Sequence, residues 1–149
     1  MRSMVFCHMS RTADTATRDV ADSCEYIPSG LPDVITVAAV DITHDATKAF
    51  PWSWSNYGTC VDIWAPGVDI EAAAPNCYEC TAEFSGTSQA TPLVTGIIAQ
   101  YLETEPTADA EDVKKALLKS ASRTVLEVSG NVYATTTNLV AQVSTELPR

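Results

Sequence analysis

An α/β layered domain, with a mostly parallel sheet and a buried helix, is the fold class that this sequence predicts. Three observations carry it. First, Val34-Ile35-Thr36-Val37-Ala38-Ala39-Val40 is a nearly unbroken apolar run led by β-branched residues, with Pro32-Asp33 before it and Asp41 after it. Such a run reads as a strand buried on both faces, as in parallel sheets. Second, Leu93, Ile97, Gln100 and Tyr101 recur near helical spacing between Ser88 and Leu102, and Ala90, Val94 and Ile98 widen the apolar face. A helix apolar over most of its surface is a buried one. Third, strands and helices are mixed along the chain, which is the pattern of layered α/β domains.

Taken in order, residues 1–22 are polar and without a sustained period, and Met4-Val5-Phe6 is their only apolar cluster. Such a stretch buries little surface and is expected to stay loosely ordered. The strand at Val34–Val40 comes next. A shorter strand follows at Val61-Asp62-Ile63-Trp64, stopped by Ala65-Pro66-Gly67, and Val68–Ala72 alternates like a half-exposed strand. The helix from Ser88 to Leu102 is ended by Pro106. A second helix is expected from Ala108 to Ser120 with Thr107 as its N-cap. Its acids (Asp109, Glu111, Asp112) lie early and its lysines (Lys114, Lys115, Lys119) late, matching the helix dipole. Val113, Ala116, Leu117 and Ser120 form its buried stripe. Residues 138–143 are expected to form a last helical turn.

A length of 149 residues suits one domain or part of a larger one, and 46% hydrophobic content supports a sizeable core. The net charge of -10 repels phosphate backbones and argues against nucleic-acid binding. No apolar run approaches the roughly 20 residues that span a bilayer, so no membrane partner is expected. Residues Met1 to Ser10 carry Arg2 but no apolar core, and do not read as a signal peptide. The cysteines are Cys7, Cys24, Cys60, Cys77 and Cys80, an odd number, so at least one is not paired within the chain.

The chemistry concentrates at Ser88. A serine hydroxyl is a weak nucleophile at neutral pH and needs a base beside it. It also needs a donor aimed at the developing oxyanion. At the start of a helix the serine amide has no partner in the helix, and the dipole favours negative charge. Gly86, with no side chain, lets a substrate backbone come close. Pro92 removes one backbone donor.

Residues 86–96, Gly-Thr-Ser-Gln-Ala-Thr-Pro-Leu-Val-Thr-Gly, resemble the serine signature of the subtilases, G-T-S-x-A-x-P-x-V-x-G, at all seven specified positions. Two segments fit in the same order. Pro32–Val37 is similar to the family's P-x-V-I-T-V strand, and Ser55–Gly67 to its S-N-Y-G-x-C-V-D-I-x-A-P-G segment, which marks the proteinase K branch with its secreted proprotein convertases. Asn138-Leu139-Val140 resembles the closing N-L-V/L. The resemblance covers residues 23–145 and implies the C-terminal half of a subtilase catalytic domain, a partial subtilisin-like fold, followed by a tail at 146–149. It implies a serine endopeptidase acting on peptides or proteins, extracellular or secreted, with Ser88 as nucleophile and its N–H as an oxyanion donor, supported by Gly86, Thr87 and Pro92. No cofactor is required by that chemistry.

The departures from the family are specific. Subtilases order their triad Asp, His, Ser. The D-T/S-G and H-G-T contexts of the first two are absent here. The two histidines, His8 and His44, are not followed by Gly-Thr, and His44 is expected in a solvated turn. Residues 1–30 hold no asparagine for the family's A-A-G-N oxyanion motif, and no apolar strand is expected to lead into it. Leu93 stands where the family usually has histidine. The expected outcome is a chain that is inactive alone. A non-catalytic binding fragment or degenerate paralogue is the alternative reading.

Cys77-Tyr78-Glu79-Cys80 is open to three readings: half of a zinc site, a redox pair, or a structural disulfide. A zinc-binding module is therefore a third functional class. The resemblance favours disulfides, Cys24 with Cys60 and Cys77 with Cys80, leaving Cys7 over. It also implies a structural calcium ion held by Asp62 and the carbonyls of Pro32 and Val34, since hard oxygens suit that ion. A carboxylate hydrogen-bonded to nearby backbone is the simpler reading of Asp62. Trp52, Trp54 and Trp64 are read as packing residues.

Overall fold

The computed structural model of the chain describes residues 6–9 (as backbone only), 20–44, 48–75, 77–123 and 133–143. The apolar run forms β2, Val34–Asp41, and only its last residue escapes burial. Side chains alternate across a strand. Ile35, Val37 and Ala39 accordingly enter one core, and Ala38 and Val40 enter the other. A slip of one residue would exchange the two sets, so the double burial pins the register.

The rest of the main sheet pairs with β2. β1, Phe6–Met9, runs parallel to it, with Phe6 opposite Val34 and Met9 opposite Val37. β4, Ile63–Pro66, is also parallel, with Val37 opposite Ile63 and Val40 opposite Pro66. β3, Phe50–Pro51, is antiparallel and meets only Val40 and Asp41. The mostly parallel sheet is therefore as predicted. β1 is a correction, because residues 1–22 were expected to hold no regular element and no strand ahead of residue 23. Its four residues gain a backbone ladder on β2, which a composition reading does not see. Residues 10–19 lie outside the described residues. A separate antiparallel hairpin joins β5, Ile70–Ala73, to β6, Thr81–Phe84. β5 is more exposed than the half-exposed strand expected: Ile70 is half-buried and Glu71, Ala72 and Ala73 are all exposed.

Two helices cover one face of the sheet. α1, Thr87–Thr104, sends Ala90, Val94 and Ile98 into the core on Ile35, Val37, Ala39, Ile63 and Ala65. α2, Ala110–Ser120, adds Val113 and Leu117. Along α1 the opposite side, with Leu93, Gly96 and Ala99, is open. α2 starts later than expected. Its cap is Asp109, whose carboxylate accepts the Asp112 N–H at 2.9 Å, and not Thr107. The first backbone bond of the helix runs from the Val113 N–H to the Asp109 carbonyl at 3.0 Å, and the Ala108 N–H donates to the Glu105 carbonyl at 3.1 Å in a turn around Pro106.

On the other face lie Ala38, Val40, Ala49, Val61, Trp64 and Val140. Trp64 is fully buried, and its Nε1–H donates to the Thr137 carbonyl at 2.6 Å. Trp52 packs half-buried against the helix-side core, with the Trp54 ring 5.5 Å away and tilted by 44° to it. Residues 138–143 correct the expected helical turn. Trp64 N–H donates to the Leu139 carbonyl at 2.8 Å and Ala141 N–H to the Trp64 carbonyl at 2.7 Å. Leu139 and Ala141 then face one core and Val140 the other, a strand-like alternation.

Cysteines close two loops. Cys24 is bonded to Cys60 across a Cα separation of 5.2 Å, and Cys77 to Cys80 across 5.5 Å. Among the described residues no group of three or more His, Cys, Asp or Glu is arranged to hold a metal ion. The CxxC lies in the β5–β6 hairpin and not at a helix start. On the loop-entropy model the Cys24–Cys60 bridge, which closes 36 residues, is worth about 3–4 kcal/mol. The Cys24→Ser/Cys60→Ser chain should lose that amount of unfolding free energy in urea titration, and the Cys77→Ser/Cys80→Ser chain about half as much.

Candidate active site

Ser88 is placed by the ends of the two central parallel strands. β4 leads into Gly67, whose N–H donates to the Val40 carbonyl of β2 at 3.0 Å. The Gly67 carbonyl accepts the Gly86 N–H at 2.7 Å. Backbone bonds thus run from β2 through Gly67 to the residue that caps α1. Gly67 has no room for a side chain. A Cβ there would sit 2.7 Å from both Ala39 Cβ and the Gly86 oxygen, and 3.4 Å from Ala90 Cβ. Between Gly67 and Gly86 the hairpin is fastened at its base. Ser85 Oγ accepts the Asp69 N–H at 2.9 Å, and Asp69 takes a left-handed turn conformation with φ 51°.

The helix begins directly after this crossing. Gly86 is the cap, and its carbonyl accepts the N–H of Gln89 at 3.1 Å and of Ala90 at 3.2 Å. Ser88 is the second residue of α1 and exposed, while Thr87 beside it is buried. Gly86, and not Ser88, is therefore the cap of α1. No acidic residue occupies the first turn of α1, so nothing there offsets the positive end of the dipole. Thr91 Oγ1 donates to the Thr87 carbonyl at 2.9 Å. Pro92 lies beyond the first turn, four residues after Ser88, and has no N–H to give the Ser88 carbonyl. The sequence-predicted Gly86, Thr87 and Ser88 thus form the helix head, with Pro92 one turn further along.

The other predicted residues are placed as follows. His44 sits in the expected solvated turn, with its side chain 84% exposed and its Nε2 3.9 Å from Asp41 Oδ2. Asp41 itself accepts the Thr43 hydroxyl at 2.6 Å. That bond, chiefly, holds the Asp41 carboxyl below its ordinary value, and the Thr43 N–H and His44 act in the same direction. His8 belongs to β1, in register with Thr36. Asp62, Pro32 and Val34 do come together. Asp62 Oδ1 lies 2.8 Å from Lys114 Nζ, and the carbonyls of Pro32 and Val34 each accept from that same ammonium at 3.2 Å. Asp62 Oδ2 accepts the Thr36 N–H at 2.9 Å. Lys114 was legible only as a cation late in α2. The spacing role of Gly67 was hidden behind its reading as a strand stop.

The Subtilase family profile matches residues 14–144. The chain belongs to the subtilase family. An extracellular serine proteinase of Thermus sp. (strain Rt41A) is 41% identical over 115 residues, 77% of this chain and 27% of its own length. Proprotein convertase subtilisin/kexin type 9 of Mus musculus is 37% identical over 123 residues, 80% of this chain and 18% of its own. Among solved structures, a cold-adapted subtilisin-like serine proteinase superposes with a TM-score of 0.73 at 29% identity, covering 85% of this chain and 42% of that one. This chain therefore spans less than half the length of each of these three proteins. Its fold is a partial subtilisin-like one.

Two glycines separate spacing from flexibility. Gly67→Ala must push β2 from the α1 head and should cost about 1–3 kcal/mol in urea unfolding. Gly96→Ala meets nothing within 4 Å and should gain about 0.5–1 kcal/mol, because alanine suits a helix interior better. For Asp41, whose folded pKa is depressed, the associated stability is present above the ordinary value of 3.8 and is lost as pH falls through the folded value. Thr43→Ala should move the Asp41 titration seen by NMR upward.

Proposed function

We propose that Ser88 is the nucleophile of a secreted serine endopeptidase, and that this chain alone does not turn over substrate. The observation that carries the reading is an exposed Ser88 at the positive end of α1, in a signature that agrees with subtilases at every specified position. In the whole enzyme a histidine takes the Ser88 proton as Oγ attacks the scissile carbonyl of a peptide or protein. The Ser88 N–H and an asparagine side chain then hold the oxyanion.

The family contexts for that histidine, for its aspartate and for the asparagine do not occur in these 149 residues. Loss of triad members from such enzymes costs several orders of magnitude in rate. His44, paired with Asp41 in an exposed turn, offers no substitute in this reading. The share of the subtilases that this chain spans supports the same view. So does the uncovered side of α1, where the remainder of a whole catalytic domain would pack. Secretion is supported by the extracellular relative and by two disulfides, which persist in oxidising compartments. Among the described residues no helix is long and apolar enough to cross a membrane.

A second reading, a non-catalytic binding fragment, is favoured by the same open face with Leu93 41% exposed. A soluble monomer with one sharp melting transition would count against it. The purified chain should leave a fluorogenic peptide uncleaved, at the rate of its Ser88→Ala variant. Turnover that disappears in Ser88→Ala would overturn the predicted inactivity while establishing the nucleophile.

A further inference from the structure

Four groups from distant parts of the chain meet at one corner of the domain. Lys114 reaches from α2 to the strand start and donates to the carbonyls of Pro32 and Val34, 82 and 80 residues away. Its third partner is Asp62 Oδ1, just before β4. An ammonium has three protons and no acceptor, and here three oxygens receive them. The Lys114 and Asp62 side chains are only 26% and 19% exposed, so water screens the pair little. Asp62 is held from its other side by the Thr36 N–H. One carboxylate and two carbonyls are also hard-cation ligands, but the Lys114 ammonium fills the point on which they converge; an ion placed there instead would draw the rest of its about six to eight oxygens from water. The other Asp62 oxygen is already committed to the Thr36 N–H, and among the described residues no group of three or more His, Cys, Asp or Glu is arranged to hold a metal ion.

We propose that Lys114 is the built-in cation of this oxygen cage, and that the chain holds this corner without a divalent metal. The positive charge an ion would bring is carried by α2 itself. It fastens α2 to the start of β2 and to the approach to β4. The cage remains a cation site by its oxygens, so removing the lysine side chain opens it to a dissolved ion. The inference is independent of any catalytic role for Ser88.

The test uses the full 149-residue chain. Its melting temperature should be the same in millimolar calcium as in EDTA, and calorimetric titration with calcium should show no binding heat. Lys114→Ala should melt lower, and millimolar calcium should then raise its melting temperature by about 3–6 °C. Lys114→Met, which keeps the bulk and loses the charge, should melt lower without that rescue. Adding Asp62→Asn to Lys114→Ala should abolish the rescue. One further arm needs no variant. In brief amine acetylation read by mass spectrometry, Lys114 should react several-fold more slowly than Lys115, whose side chain is 68% exposed. Calcium binding by the unmodified chain would overturn the proposal. So would a Lys114→Ala chain that folds and ignores calcium, or a Lys114 acetylated as fast as Lys115.

Discussion

Burial of β2 on both faces is the constraint from which the rest of the architecture follows. A strand with no solvent side must find cover twice and pair on both edges. β1 and β4 take the ladders, the helices take one face, and Trp64 with Val140 takes the other. The inner surface toward α1 is built from Ala39, Ala65 and Ala90 near the helix head and from larger Val37, Ile63 and Val94 further along. Small residues therefore lie where α1 begins. The helix head can approach the strand ends closely enough for main-chain bonds to set its position.

That geometry gives the candidate nucleophile its precision. Ser88 rides on a helix joined to the sheet by Gly67 and not on a free loop. Rigid elements hold a reacting group better than loops do. The hairpin between Gly67 and Gly86 lies outside this arrangement and is fastened at its base by Ser85 and Asp69. The chain thus holds a well-braced helix head with the candidate nucleophile on it. In this proposal the partners that make a serine reactive belong to the opposite wall.

How much of this was legible depended on whether the cause was local. β2 is a continuous apolar run, and the serine signature with its helix is contiguous, so both could be read directly. β1 and β3 could not, since each is short and acquires its identity from β2. Leu139-Val140-Ala141 was misread because three apolar residues in a row fit either period, and the Trp64 and Ser122 backbones decide it. The Asp109 cap was misread because Thr107 and Asp109 are both capping residue types, and only the first helix bond, from Val113 to the Asp109 carbonyl, separates them. Of the candidate site, the serine and its neighbours were visible, and so was the gathering of Asp62, Pro32 and Val34 through family likeness. Lys114 at their centre was not. A contact across eighty residues of chain has no trace in spacing.

The bond between Cys24 and Cys60 has a further consequence. The loop it closes contains the whole of β2, the strand that every other part of the main sheet depends on. It also contains the exposed turn at Thr43-His44, the kind of place where a protease first cuts. A nick there would give two chains on paper and one molecule in practice. The pieces would stay tethered on either side of β2, free to rejoin their ladder without finding each other by diffusion.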